Sequence, residues 1–173
     1  VEWMTPMRPA VHLALRSAAI AMGMCCSTLW AETIRQSFPV SSFHSISIRI
    51  AGDLHVVQSA SVSLVIEAEP HVVAQLRPRV RADALYLETS GEPVITQEPI
   101  RFYVTAPSLK AIEGHGAGSI SIDGLTTPSF ALKLLGAYAA SAKRVQVGAL
   151  DVRLHGSGTV ALEGSALEQK VAI

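Results

Sequence analysis

Three sets of side chains in this chain have types and spacings that chemistry uses. His115 and His155 each stand immediately before a glycine, 40 residues apart. Imidazoles repeated in register are the usual start of a metal site. Asp123 and Glu163 show the same spacing, each before the glycine that closes its segment. Paired carboxylates can act as the acid and base of a glycosidase, or with further oxygen ligands hold calcium. Arg77, Arg79 and Arg81 alternate, so in an extended segment they share one face and could meet an anionic glycan or lipid headgroup. Each set also has a plain structural reading. Stacked strands lie about 4.8 Å apart, so histidines two layers apart cannot share an ion whose bonds are near 2 Å. No third acid joins Asp123 and Glu163, and a polar residue before a turn glycine is ordinary. The arginines beside Pro78 suit a charged, solvated sheet edge that resists pairing. There is no Gly-x-Ser-x-Gly elbow, phosphate loop or dinucleotide fingerprint. We therefore assign no catalytic, cofactor-binding or metal-binding residue and expect no cofactor.

What must position these side chains is a repeat. Gly116-Ala117-Gly118-Ser119-Ile120-Ser121-Ile122-Asp123-Gly124 is echoed by Gly156-Ser157-Gly158-Thr159-Val160-Ala161-Leu162-Glu163-Gly164. A degraded copy lies between, in which Tyr138 replaces the second glycine. The leading glycines 116, 136 and 156 are 20 residues apart. A fixed period of that size implies stacked coils. Each unit has two short strands about a Gly-x-Gly corner, with glycine allowing positive φ and close stacking. Leu109 and Ile112, then Leu132 and Leu134, then Leu150, Val152 and Leu154 precede the corners. Ile120 and Ile122, Val145 and Val147, and Val160 and Leu162 follow them and point inward. Ser119, Ser121, Lys133, Arg144, Gln146, Asp151, Arg153, Ala161 and Glu163 then point outward. In this alignment Ala139 to Ala142 bulge out of the middle unit, and Val147 stands between Asp123 and Glu163.

The N-terminal half reads as short strands and hairpins. Apolar and polar residues alternate from Phe43 to Ile50, and Ala51-Gly52-Asp53 is a turn signal. Leu54 to Val57 forms a second strand, Ser61 to Ala68 a third, Val80 to Leu87 another and Ile100 to Val104 another. His71 to Leu76 is one helical turn stopped by Pro78. The expected fold is all-β: a β-helix or β-solenoid of about 20-residue coils in the C-terminal half, with short strands and hairpins in the N-terminal half. The alternating end of the chain, Leu167 to Ile173, reads as the first strand of a further unit, so we expect a truncated array whose last coil can meet another copy.

Composition agrees. The 173 residues carry no net formal charge and only 5% aromatics, which disfavours nucleic-acid binding and an aromatic-lined cleft. Arg8, His12 and Arg16 precede an apolar run from Ser17 to Leu29, then Trp30-Ala31. This is the layout of a secretion signal peptide over residues 1–31, followed by one domain over 32–173. The apolar run is too short to cross a bilayer as a helix. Both cysteines, Cys25 and Cys26, fall inside the signal, so the exported chain has no disulfide or thiol chemistry.

Several segments together resemble the putative auto-transporter adhesin, head GIN domain family. They are Phe43-His-Ser-Ile-Ser-Ile-Arg-Ile-Ala-Gly-Asp-Leu-His-Val, Val62-Ser-Leu-Val-Ile-Glu-Ala-Glu, Ile100-Arg-Phe-Tyr-Val-Thr-Ala-Pro-Ser-Leu-Lys-Ala-Ile, and the Gly-Ala-Gly and Gly-Ser-Gly corners. The run Val-Thr-Ala-Pro-Ser-Leu leading into Gly-Ala-Gly is the most specific. The resemblance covers about residues 40 to 173. It implies a cell-envelope domain of unknown function that is exported to the periplasm, outer-membrane surface or medium, has a β-helical fold, and has an adhesive or envelope-binding role without enzymatic activity. The expected partner is an envelope or host-surface glycan or protein, with self-association through the uncovered coil and no nucleic acid.

Overall fold

The computed structural model describes residues 32–91 and 93–173; the segment read as a signal peptide lies outside them. Among the described residues 70% are strand and 4% helix, and the sheet curls into a half-barrel. The elements are β1 (Ile34–Phe38), β2 (Ser45–Ile48), β3 (Gly52–Gln58), β4 (Ser63–Ala68), α1 (Pro70–Gln75), β5 (Arg79–Arg81), β6 (Ala84–Leu87), β7 (Arg101–Ala106) and β8 (Ala111–Ala172). They form one sheet in the order β1-β4-β7-β3-β8-β2-β6-β5.

β8 runs for 62 residues. Straight, it would be roughly 200 Å long at about 3.3 Å per residue, so it must turn. It does so where backbone φ is positive: Gly116 (121°), Gly136 (124°) and Gly156 (129°) mark one corner. At these corners the backbone meets the backbone 20 residues earlier. A Cβ on Gly136 would lie 2.0 Å from the Gly116 carbonyl oxygen, and one on Gly156 would lie 2.3 Å from that of Gly136. Only glycine tolerates both the angle and the approach.

The same column continues into the N-terminal half. A Cβ on Gly118 would lie 1.9 Å from the Gly52 carbonyl oxygen. β2 and β3 both run parallel to the start of β8, from Ser45 opposite Ala111 to Val57 opposite Asp123. The register is constant across the corner, so Arg49-Ile50-Ala51 matches His115-Gly116-Ala117. On the other side β2 pairs in parallel with β6, and β3 with β7. The turn expected at Ala51-Gly52-Asp53 is therefore not a hairpin, because β2 and β3 do not pair with each other. A two-residue hairpin needs positive φ in its turn, and none of these residues has it. Instead the segment turns a corner. The single strand expected over Val80 to Leu87 is a true hairpin: Ala82 (46°) and Asp83 (67°) turn β5 back on β6. Antiparallel strands close this side of the sheet, with β4 on β7 and β1 on β4. α1 starts at Pro70 as its first-turn residue and buries Val72 and Val73.

The bulge expected at Ala139 to Ala142 is also absent. Tyr138, Ala140 and Ala142 are buried within β8. Counted by 20, Ala140 and Ala142 take the places of Ile120 and Ile122, while Val145 and Val147 follow Leu125 and Thr127 on the next side. All of these are buried. The misalignment has a volume cause. The Tyr138 ring lies against Gly114, where a Cβ would come within 3.0 Å of it. One large ring and two alanines fill the space that two isoleucines fill one coil earlier. The second corner carries Gly124 (71°) and then Arg144 (54°), a residue type that rarely accepts this angle. Burial declines along the chain: Leu154 is buried, Val160 and Leu162 are half-buried, and Leu167, Val171 and Ile173 are exposed.

Candidate binding surface

The outward side chains form ladders across the coils. On one side, Lys133 Nζ donates to Glu113 Oε1 at 2.8 Å, across the 20-residue step. His115 Nε2 lies 3.2 Å from the same oxygen. The Lys133 hydrogen bond, then its charge and the His115 contact, hold Glu113 below the usual carboxylate range against the opposing effect of burial. Arg153 forks onto Asp151 at 3.1 and 2.8 Å and lowers its pKa. The flanking side carries small residues at matching steps: Ser119, Ala139 and Thr159, then Ser121, Ser141 and Ala161. From Ala139 on, these are exposed.

β7 and β3 add an aromatic step beside that small-residue area. The rings of Tyr103 and His55 stack at 5.2 Å and 15°, and Arg35 lies over Tyr103. Arg35 and Arg101 both pair with Glu67, which lies below the ordinary glutamate range chiefly through the Arg35 hydrogen bond. Asp53 Oδ1 accepts from Ser119 N at 3.1 Å and Ser119 Oγ at 2.6 Å. These partners are 32 to 66 residues apart. Sequence reasoning did not single out Arg35, Glu67, Arg101 and Asp53, because their meeting depends on pairings between distant strands.

The residues singled out by spacing are not brought together as catalytic sets. His115 leans on Glu113, and His155 is exposed. Among the described residues no group of three or more His, Cys, Asp or Glu is placed to hold a metal ion. Asp123 pairs with Arg144 at 2.6 Å. The residue 20 positions from both Asp123 and Glu163 is Lys143, not Val147, which is buried. Two coil steps separate the acids, roughly 10 Å of backbone. Arg79 and Arg81 share a face of β5, and Arg77 lies outside the strand. Arg77 donates to the Ala74 and Leu76 carbonyl oxygens at 2.7 and 2.8 Å. Arg79 pairs with Glu88 at 2.5 Å. Arg81 is exposed on β5, the end strand of the sheet. Charge there protects an edge from pairing.

Residues 42–173 match the family described as putative auto-transporter adhesin, head GIN domain. The chain belongs to this family. The description is that of a surface-binding module and names no enzymatic activity. None of the curated proteins compared with the chain matches it. Solved structures of the same fold include a putative adhesin from Bacteroides fragilis, 16% identical with a TM-score of 0.56, aligned over 83% of this chain and 98% of that one. A putative adhesin from Parabacteroides merdae is 15% identical with a TM-score of 0.60, over 81% of this chain and 58% of that one. A protein from Parabacteroides distasonis named a putative lipid binding protein is 16% identical with a TM-score of 0.56, over 80% and 73%. At these identities the likeness concerns the fold.

Proposed function

We propose that residues 32–173 form one exported, non-enzymatic β-solenoid that binds envelope or host-surface glycans or proteins through its outward faces, behind a secretion signal over residues 1–31. The observation that carries this reading is the glycine column. Gly52, Gly118, Gly136 and Gly156 meet other backbone along the stack, and such stacking turns each outward position into a row. Rows of small side chains beside the Tyr103 and His55 rings make an accessible contact face. Family membership supports an adhesive role outside the cytoplasm. The exposed Leu167, Val171 and Ile173 support self-association as a further contact.

The test is binding of the purified protein to a panel of envelope and host-surface glycans, proteins and lipid vesicles, with sedimentation over a range of concentrations. Saturable binding to at least one surface class is expected. Binding to none of them overturns the reading. Binding accompanied by turnover of a glycan overturns its non-enzymatic part.

A further inference from the structure

One corner of the stack is unlike the others. β2 and β3 are joined by Arg49-Ile50-Ala51, and the matching corner in β8 is His115-Gly116-Ala117. Between β6 and β7, which lie beside β2 and β3, residues 88–100 make the same connection. An expanded connection on a rigid sheet is where binding residues concentrate. This one is well held. Glu69 Oε1 accepts from Thr96 Oγ1 at 2.9 Å, Gln97 N at 2.7 Å and Glu98 N at 3.0 Å. His71 Nε2 lies 3.0 Å from the Ile95 carbonyl oxygen.

Between this loop and the Arg49 corner lies a cavity of about 340 Å³. Ile50, Pro93, Val94 and Ile100 form its apolar part, Thr89 and Thr96 its polar part, and Arg49 supplies a cation. The Arg49 guanidinium rests 5.7 Å above the Tyr86 ring centroid. Among the described residues no carboxylate pairs with it. Three described acids are engaged elsewhere: Glu88 with Arg79, Glu113 with Lys133, and Glu69 with the loop. The cavity therefore presents a braced guanidinium that has no carboxylate partner among the described residues, beside apolar walls. That combination fits a carboxylate carried on a compact, partly apolar body.

We propose that this corner binds an acidic saccharide, its carboxylate on Arg49 and its ring C–H or N-acyl face on Ile50 and Val94. The proposal rests on the reading of the chain as a surface-binding module and names the ligand class of one site. Size argues against an acyl chain, because the volume is at the small end for ligand pockets. Pairing argues against an extended peptide. β2, β3, β6 and β7 each have strands on both sides, so no strand can add beside the cavity.

The experiment is calorimetric titration of the purified protein with N-acetylneuraminic acid, glucuronic acid, neutral N-acetylglucosamine, inorganic phosphate and a short peptide with a free C-terminal carboxylate. An acidic sugar is expected to bind in preference to the neutral one. Arg49→Gln should weaken it about tenfold or more, and Lys170→Gln, at an exposed position outside the cavity lining, should not. Unchanged thermal midpoints show that both variants fold. Preference for the neutral sugar, for phosphate or for the peptide overturns the proposal. So does an Arg49→Gln variant that binds acidic sugars normally, and in that case the module reading survives. Failure to bind any surface in the wider panel overturns both.

Discussion

The two halves of this domain build parallel pairing by different routes. In β8 the chain meets itself 20 residues on, and each step repeats a corner glycine, apolar inner positions and polar outer ones. In the N-terminal half no period exists. β2 and β3 pair with residues 66 positions away in β8, and β7 is reached from β3 across 48. Antiparallel strands and buried polar clamps, above all Glu69, complete that half. A repeat is thus a sufficient route to stacking but not a necessary one. The periodic part is held by backbone contact, which makes it intolerant at its corners. The aperiodic part is held by deeply buried side chains and single polar links.

Substitutions can break this contrast. The largest effect is expected from Gly136→Ala, whose Cβ would fall 2.0 Å from backbone at a φ of 124°. It should cost at least about 3 kcal/mol in urea unfolding. Gly91→Ala, at a φ of 104° with open space around it, should cost only about 1 kcal/mol. Equal losses would mean that angle, not stacking, governs the corners. Next, Phe102→Ala in β7, fully buried, should cost about 3–5 kcal/mol. Leu162→Ala in the half-buried last part of β8 should cost about 1 kcal/mol. A reversed order would place the main core in the repeat instead.

Acid should act most on the aperiodic half, whose carboxylates Glu67 and Glu69 are more buried than Glu113 and Asp151 of β8. Glu69 is held below the ordinary glutamate range by the backbone N–H groups of Glu98 and Gln97, and Glu67 by Arg35. A folded pKa below the unfolded one adds stability that is complete above the unfolded value and is lost as pH falls through the folded value. Stability should therefore be steady near neutrality and drop below the ordinary glutamate range, with a shallower drop in Glu69→Gln. Hydrogen exchange should show residues 95–98 opening early on acidification, and uniform opening would count against this assignment.

The smallest effect is expected at the second corner. Arg144→Gly removes an exposed ion pair with Asp123, worth about 0–1 kcal/mol. It also relieves a non-glycine positive φ costing about 1 kcal/mol. The net change should stay within about 1 kcal/mol. A larger loss would show that the Asp123 pair fastens one coil to the next.

Sequence alone determined the strand content, the 20-residue step and the short helix before Pro78. Each follows from local rules: period-2 alternation, glycine at positive φ and proline geometry. The chemistry-bearing residues were legible singly, and their separation by whole coils followed from strand spacing. Tertiary structure decided the rest. Ala51-Gly52-Asp53 reads only as a turn, and its fit against Gly118 makes it a corner of the stack. Ala140 and Ala142 read as a bulge because aligning Val145 and Val147 with Ile120 and Ile122 leaves them over, and only the Tyr138 ring packed on Gly114 makes them core. Arg49 has no distinguishing neighbour in sequence. The loop that forms a cavity beside it begins 39 residues later, in β6's register with β2. Local pattern encodes which way a side chain points, but what it meets depends on pairings across long loops, which no short window of sequence contains.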